Sequence, residues 1–305
     1  MIDSLCKNRT ALALGNFDGL HKGHLQVLSA VCSQKENGLQ PVLVRFDPHP
    51  AAVLRGKTPD RILTDRERSA ILSAYQAEET VLDFSSVCDL SPEAFVKDVL
   101  VDRLHAGFIA CGFNFRFGKN GAGTAETLKE LARKYSIGCF VAEEVDFENL
   151  PVSATRIRDC IRNGQIEQAN AMLTRPFSYD FEVVGGDRRG RLMGTPTINQ
   201  YFPQGFAVPK SGVYASFAVV DGVCYPAVTN IGIRPTFNGT SERSETWIMH
   251  FSGDLYGKHI PVYLLKYLRG EVKFDNMDSL RKQILSDSVQ SQAAFENYSR
   301  KNEKI

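Results

Sequence analysis

The sequence predicts an α/β protein in two parts, a doubly wound parallel sheet followed by an all-β barrel with a terminal helix. Three observations carry this. Up to about residue 175, short apolar runs of strand length alternate with stretches whose apolar residues recur at helical spacing, the pattern of strand–helix–strand crossovers. Beyond Arg175-Pro176 glycine and proline become dense, helical stripes disappear and strand signals dominate. The chain has 305 residues, 43% hydrophobic and 23% charged, which is ordinary globular composition with enough apolar material for two cores. The expected domains are residues 1–175 and 176–305, with the boundary falling near residues 174–178.

In chain order, the strands expected in the first part are Ala11–Gly15, Pro41–Phe46, Thr80–Phe84, Gly107–Gly112 and Cys139–Glu143. Between the first two, His24–Glu36 places Leu25, Leu28, Val31 and Cys32 on one helical stripe. In Ser91–His105, Ser91 suits an N-cap and Pro92 the first helical position, and Phe95, Val96, Val99 and Leu100 follow at helical spacing. In the second part, Gly212–Val220 and Val223–Ile231 are strand-like runs separated by Asp221-Gly222, a pair suited to a type I′ hairpin. Thr246–Phe251 and Ile260–Leu268 supply two more strands, and Glu242, Arg243 and Glu245 read as a charged loop. A helix from about Asp275 would present Met277, Leu280, Ile284 and Leu285 on one face.

Composition narrows the function classes. A formal net charge of +1 creates no overall field for a polyanion, so a nucleic-acid partner is not expected. The longest basic cluster, Asp187-Arg188-Arg189-Gly190-Arg191, reads as a glycine-flanked loop that meets a few phosphates at most. The seven cysteines are odd in number and form no CxxC pair, which argues against a disulfide framework or a zinc site. No apolar run reaches the roughly 18 residues of a membrane helix, and MIDSLCKNRT lacks a signal-peptide core. A cytoplasmic, membrane-free protein is the expectation.

Gly15-Asn16-Phe17-Asp18-Gly19-Leu20-His21-Lys22-Gly23-His24 leads from the first strand into the first helix. Open α/β sheets bind phosphates there, where glycines allow close backbone approach and helix N–H groups point outward. His21 and His24, three apart at a helix start, fall on one face and can aim at the same anion. Two imidazoles so placed can donate to a phosphorus centre as negative charge builds on it.

This stretch resembles the nucleotidyltransferase superfamily with its HxGH signature, and the longer string narrows the resemblance to the bacterial bifunctional riboflavin kinase/FAD synthetase family. Phe46-Asp47-Pro48-His49-Pro50, Cys111 to Gly118 (CGFNFRFG) and Val152 to Arg158 (VSATRIR) fit the same family. The resemblance implies a Rossmann-like domain in which His21 and His24 are catalytic and ATP meets Gly15, Asn16, Phe17, Asp18 and Gly19. It places Asn114 at the nucleotide or the flavin, and Thr155 and Arg158 at the β- and γ-phosphates. Ala154 stands where serine is usual and Asn114 where many relatives have aspartate. Neither change removes an indispensable base, because attack by an ionised FMN phosphate needs positioning and charge stabilisation above all.

The second rich stretch runs from Gly185 to Asn199 (GGDRRGRLMGTPTIN). Its glycines expose backbone N–H groups to phosphates. Thr197 and Asn199, two apart in an extended segment, present their oxygens on one side, and such oxygens suit Mg²⁺. The string resembles the riboflavin kinase motif GRxLGxPTAN, with Met193 and Ile198 at the leucine and alanine positions. The match continues through Pro209 to Ala215, Asn230 to Phe237, Gly253 to Lys258 and Leu268 to Phe274. The resemblance implies a six-stranded kinase barrel with ATP at Gly190, Arg191, Gly194, Pro196 and Thr197, and Mg²⁺ at Thr197 and Asn199. Glu245, eight residues before Gly253, falls where that family has a catalytic glutamate, whose task is to accept the proton of the riboflavin 5′-hydroxyl. The substrates and products so implied are ATP, riboflavin, FMN and FAD.

An HxGH site alone would also serve a nucleotidyltransferase for pantetheine phosphate or nicotinate mononucleotide, but those enzymes carry no such second domain. A flavin-binding regulator that had lost its chemistry would not need His21, His24, Arg158, Thr197, Asn199 and Glu245 together.

Overall fold

The computed structural model describes residues 9–186, 195–236 and 239–302. The chain forms two compact units, Met1–Pro59 with Asp65–Ser153, and Asp60–Thr64 with Ala154–Ile305.

In the first unit, β1 (Thr10–Leu14), α1 (Lys22–Cys32), β2 (Gln40–Asp47), α2 (Pro50–Arg55), α3 (Asp65–Ala74), β3 (Glu78–Asp83) and α4 (Phe84–Val87) follow in order. Next comes α5 (Pro92–Ala94), which widens into a π-helical stretch, Phe95–Arg103. Then follow β4 (Ala106–Gly112), α6 (Ala125–Lys134), β5 (Gly138–Ala142) and a small hairpin of β6 (Asp146–Phe147) and β7 (Leu150–Pro151). The five main strands lie in the order β3-β2-β1-β4-β5, and all are parallel. Alternation sorts their side chains. Leu12, Leu14, Val42, Val44, Ile109 and Cys111 join Phe95, Val96, Val99 and Leu100 and α6 in one core, while the small Ala11, Ala13 and Ala110 are buried outside it. α1 packs over β1 and β4.

Local signals hold here, with corrections. The Ser91 hydroxyl accepts from the Ala94 N–H at 3.1 Å, as an N-cap should. The expected helix is present over residues 92–103, α-helical for its first three residues and π-helical thereafter. α1 starts at Lys22 rather than His24, because His21 takes the cap position, and it buries Val27, Leu28 and Val31 rather than Leu25 and Cys32.

The second unit opens with α7 (Ala154–Arg162) and α8 (Ile166–Leu173), followed by β8 (Phe177–Tyr179), β9 (Thr197–Tyr201), β10 (Gly212–Val220), β11 (Val223–Thr236), β12 (Gly239–Ile248) and β13 (Val262–Arg269), and closes with α9 (Met277–Asn302). The strands make a curled six-stranded antiparallel sheet in the order β8-β13-β10-β11-β12-β9. Asp221 (φ 50°) and Gly222 (φ 82°) make the expected tight hairpin between β10 and β11. Asn170 binds α8 to this sheet: its amide donates to Leu264 O at 2.8 Å and accepts from the Phe177 N–H at 2.7 Å. The compact units therefore divide two helices before the change in composition.

Two expectations for this half fail for one physical reason. The stretch Glu242, Arg243, Glu245 is not a loop but the middle of β12, paired to β11 and β9. Its inward positions are hydroxyls, Ser244 and Thr246, so apolar alternation is missing from the sequence. Inside, Thr246 and Thr229 share a hydrogen bond of 2.9 Å, and Thr229 and Ser216 one of 2.8 Å. Polar groups are likewise buried on α9. Met277 and Leu285 are 59% and 53% exposed, whereas Asp287 and Ser291 are buried. Arg269 binds the Asp287 carboxylate through Nε at 3.1 Å and Nη2 at 2.7 Å, and Ser291 Oγ donates to Ala227 O at 2.5 Å.

Candidate active sites

In the first unit β2, β1 and β4 are neighbours, so the turn after Leu14, the corner after Asp47 and the turn after Gly112 leave the sheet at one edge. The winding reverses between β1 and β4, and at this switch point open sheets take ligands. The turn itself is strained, with Phe17 at φ 49°, Gly19 at φ 80° and Leu20 at φ 42°. Phe17 and Leu20 tolerate the left-handed region because both side chains are fully buried anchors. A side chain at Gly15 would begin 3.3 Å from the Phe17 ring, so glycine there lets the ring fold back beneath the turn.

His21 caps α1 through its backbone, its carbonyl accepting from the Leu25 N–H at 2.9 Å, and no side-chain cap bond uses its imidazole. The His21 and His24 rings stack with centroids 3.7 Å apart, and the Phe17 ring meets His24 edge-on at 5.1 Å. Burial holds His24 well below the usual imidazole range, and the charges of His21 and Arg68 push the same way. Among the described residues its buried Nδ1 has no hydrogen-bond partner. His49 accepts at Nδ1 from the Ala51 N–H at 3.1 Å, so its proton sits on Nε2, 3.2 Å from the Asn16 amide. With the amide turned to bring its oxygen to that N–H, the otherwise unpartnered Asn16 Oδ1 is satisfied. Asp18 is half-buried in the turn, and Asn114 lies exposed just beyond β4. Thr155 and Arg158 both lie on α7, Thr155 exposed and Arg158 buried with Nε donating to Asp60 O at 2.6 Å.

In the second unit the strand register assembles the other set. Glu245 on β12 stands directly opposite Asn199 on β9 and, on its other side, opposite Asn230 on β11. Paired residues project on the same side of a sheet, and so does Thr197, two residues before Asn199. Arg243, two residues before Glu245, forms an ion pair with its carboxylate. Asn230 Nδ2 donates to Glu271 Oε1 at 3.3 Å, extending the polar row. The backbone of Gly186 lies against Asn199, where any Cβ would fall 2.3 Å from Asn199 Nδ2. Pro196 is exposed beside this row, whereas Gly190, Arg191 and Gly194 lie outside the described residues. The sequence offered no signal for Arg243, which looked like one more solvated charge.

The family described as FAD synthetase matches residues 3–156, and the family described as riboflavin kinase matches residues 173–295. Over 298 residues the chain is 34% identical to the bifunctional riboflavin kinase/FMN adenylyltransferase of Bacillus subtilis, covering 95% of this chain and 93% of that one. The chain belongs to the bifunctional riboflavin kinase/FMN adenylyltransferase family. The Escherichia coli K12 member of this family is 31% identical over 289 residues, covering 93% of this chain and 92% of its own. A crystal structure described as a macrolide-efflux protein from Streptococcus pneumoniae superposes with a TM-score of 0.85 at 30% identity, covering 94% of each chain. Among the described residues no helix is long and apolar enough to cross a membrane. The family likeness spans both sheets, and with it both polar sets.

Proposed function

We propose that this chain phosphorylates riboflavin to FMN with ATP in residues 176–305, and in residues 1–175 transfers AMP from a second ATP to FMN, giving FAD and pyrophosphate. The observation that carries the reading is the pairing, in one chain, of two chemically different sites. One is a stacked histidine pair at a helix start, and the other a carboxylate facing an amide across a sheet.

For adenylylation, an ionised FMN phosphate oxygen attacks the α-phosphorus of ATP, and the electron pair of the breaking α–β bridge leaves with pyrophosphate. No proton must be removed from the nucleophile. What the site supplies is position and donors, through the Gly15–Gly19 turn with Asn16 and Asp18, and the imidazole N–H groups of His21 and His24. A depressed His24 stays neutral, so it donates one N–H without itself being a strong acid. In this reading Thr155 and Arg158 take the β- and γ-phosphates, and Asn114 the nucleotide or the flavin.

For phosphorylation, the riboflavin 5′-hydroxyl oxygen bonds to the γ-phosphorus, its proton passes to Glu245, and ADP leaves. Arg243 fixes the direction of the Glu245 carboxylate. The donor set fits Mg²⁺: the Thr197 hydroxyl and Asn199 amide oxygens share a side with the Glu245 carboxylate, and the bare Gly186 backbone leaves Asn199 room. When bound with the nucleotide, the ion would neutralise phosphate charge. Gly190, Arg191, Gly194, Pro196 and Thr197 are the assigned nucleotide contacts.

The deciding experiment incubates the full chain with riboflavin and Mg-ATP and separates the products chromatographically. FMN and FAD are expected in succession. Changing His21 or His24 to Ala should cost FAD formation about 100- to 1,000-fold and leave FMN formation nearly intact. A chain that makes neither product does not have the proposed function.

A further inference from the structure

Arg68 on α3 is one of the few buried charged side chains of the first unit, 7% exposed. The segment around it, Asp65-Arg66-Glu67-Arg68-Ser69, reads as a solvated helical face, so nothing local in the sequence explains the burial. A buried guanidinium is tolerated only where hydrogen bonds and opposite charge meet it. Here Nη1 donates to the carbonyl of Phe17 at 3.3 Å, and Nε lies 3.8 Å from Glu79 Oε1. Glu79 is shared, because Arg45 Nε reaches the same oxygen at 3.2 Å. The carboxylates of Asp18 and Asp65 also act on the guanidinium.

The carbonyl that Arg68 holds belongs to the residue at which the turn becomes left-handed. Non-glycine residues persist at φ 49° and 42° only where the surroundings over-determine them. The side chain of Phe17 is fixed by burial, and its backbone by Arg68. The same guanidinium brings a full positive charge under a turn that closes with the His21–His24 pair.

We propose that Arg68 is a positioning residue of the adenylylation site: it fixes the Gly15–Leu20 turn through the Phe17 carbonyl. This rests on the reading of that turn as the adenylylation site. His24 responds to two charges, His21 and Arg68, and Arg68 in turn to Glu79, Asp18, Asp65 and Arg45. Burial is the main cause of the His24 depression, and loss of the Arg68 charge removes a smaller contribution in the same direction.

The test compares Arg68→Met and Arg68→Lys with the parent in the full chain. A misplaced reacting group costs about 10² in rate, so Arg68→Met should lower FMN adenylylation by about that factor with riboflavin phosphorylation unchanged. Arg68→Lys keeps the charge and one donor but not the planar fork, and should recover most of that loss, leaving it about tenfold below the parent. A readout that general loosening would not move is the His24 imidazole titration followed by NMR, which should shift upward in Arg68→Met and stay in place in Arg68→Lys. Where Arg68→Met does not fold, Arg68→Lys decides: a tenfold loss at an unchanged melting temperature supports the proposal, and parental activity overturns it. Equal defects in both variants with an unmoved His24 titration also overturn it. His24→Ala run alongside separates the two layers. If it adenylylates FMN at the parental rate, the site reading fails and the role of Arg68 falls with it.

Discussion

Glu245→Gln keeps the shape and hydrogen bonding of the side chain and removes its basic oxygen. In the register of β12 the flanking partners are Asn199 and Asn230, and the neighbour on the same strand face is Arg243. None of these three can take a proton from an attacking hydroxyl, so none of them substitutes. Loss of a general base costs about 10² to 10⁴ in rate, or about 2.7 to 5.4 kcal/mol of barrier at 1.36 kcal/mol per decade. The cost to the fold is far smaller. Glu245 is 35% exposed and its partner Arg243 11%, but the glutamine amide oxygen still accepts from the guanidinium, so the contact is weakened rather than lost. The variant should therefore be folded and inactive as a kinase. Riboflavin, Mg-ATP and the full chain are incubated and FMN is followed by chromatography; a second reaction supplied with FMN measures FAD. FMN synthesis should collapse and FAD synthesis from supplied FMN should continue. Glu242→Gln is the control, three residues away on the opposite face of the strand and exposed, and it should do little. Equal behaviour of the two variants, or intact FMN synthesis in Glu245→Gln, would refute the reasoning.

Other consequences can be measured. Gly186→Ala forces a methyl group to 2.3 Å from the Asn199 amide, so riboflavin phosphorylation should fall about tenfold or more while FAD formation from supplied FMN is untouched; an unaffected kinase rate would show that Asn199 has no fixed role. Asp287→Ala strands Arg269 beside the barrel and should destabilise the second unit by about 3 kcal/mol in denaturant unfolding, the low end for a buried pair because Arg269 is 21% exposed. Because His24 is held below its ordinary value of about 6.5, the unfolded chain takes up the proton first as pH falls. Its contribution to stability is complete above that pH and drains below it, so melting should weaken as the pH falls below about 6.5, and His24→Gln should flatten this slope. A fragment beginning at Ala154 should unfold at a higher temperature than one beginning at Arg175, because the latter lacks both hydrogen bonds of the Asn170 amide; equal melting would show that α7 and α8 add nothing.

What the sequence determined by itself lies where chemistry is local. The turn from Gly15 to His24 was legible because a glycine-rich strand-to-helix corner and two histidines three apart define their own geometry. The Ser91 cap and the Asp221-Gly222 hairpin were legible for the same reason, each needing only its immediate neighbours. The fold class followed from the change of apolar period, a property summed over many residues. Tertiary structure decided whatever depends on partners distant in the chain. β12 looked like a charged loop because its inward side chains are hydroxyls, and they become acceptable core residues only when Thr229 and Ser216 arrive from other strands to share their hydrogen bonds. The inward face of α9 was misread because the burial of Asp287 depends on Arg269 from β13. Glu245 and Asn199 are 46 positions apart, and only the antiparallel register of β9 and β12 sets one opposite the other. The burial of Arg68 follows only from the place of α3 beside the Phe17 carbonyl. A polar side chain does not announce its burial, because the group that makes burial affordable is supplied by another part of the chain.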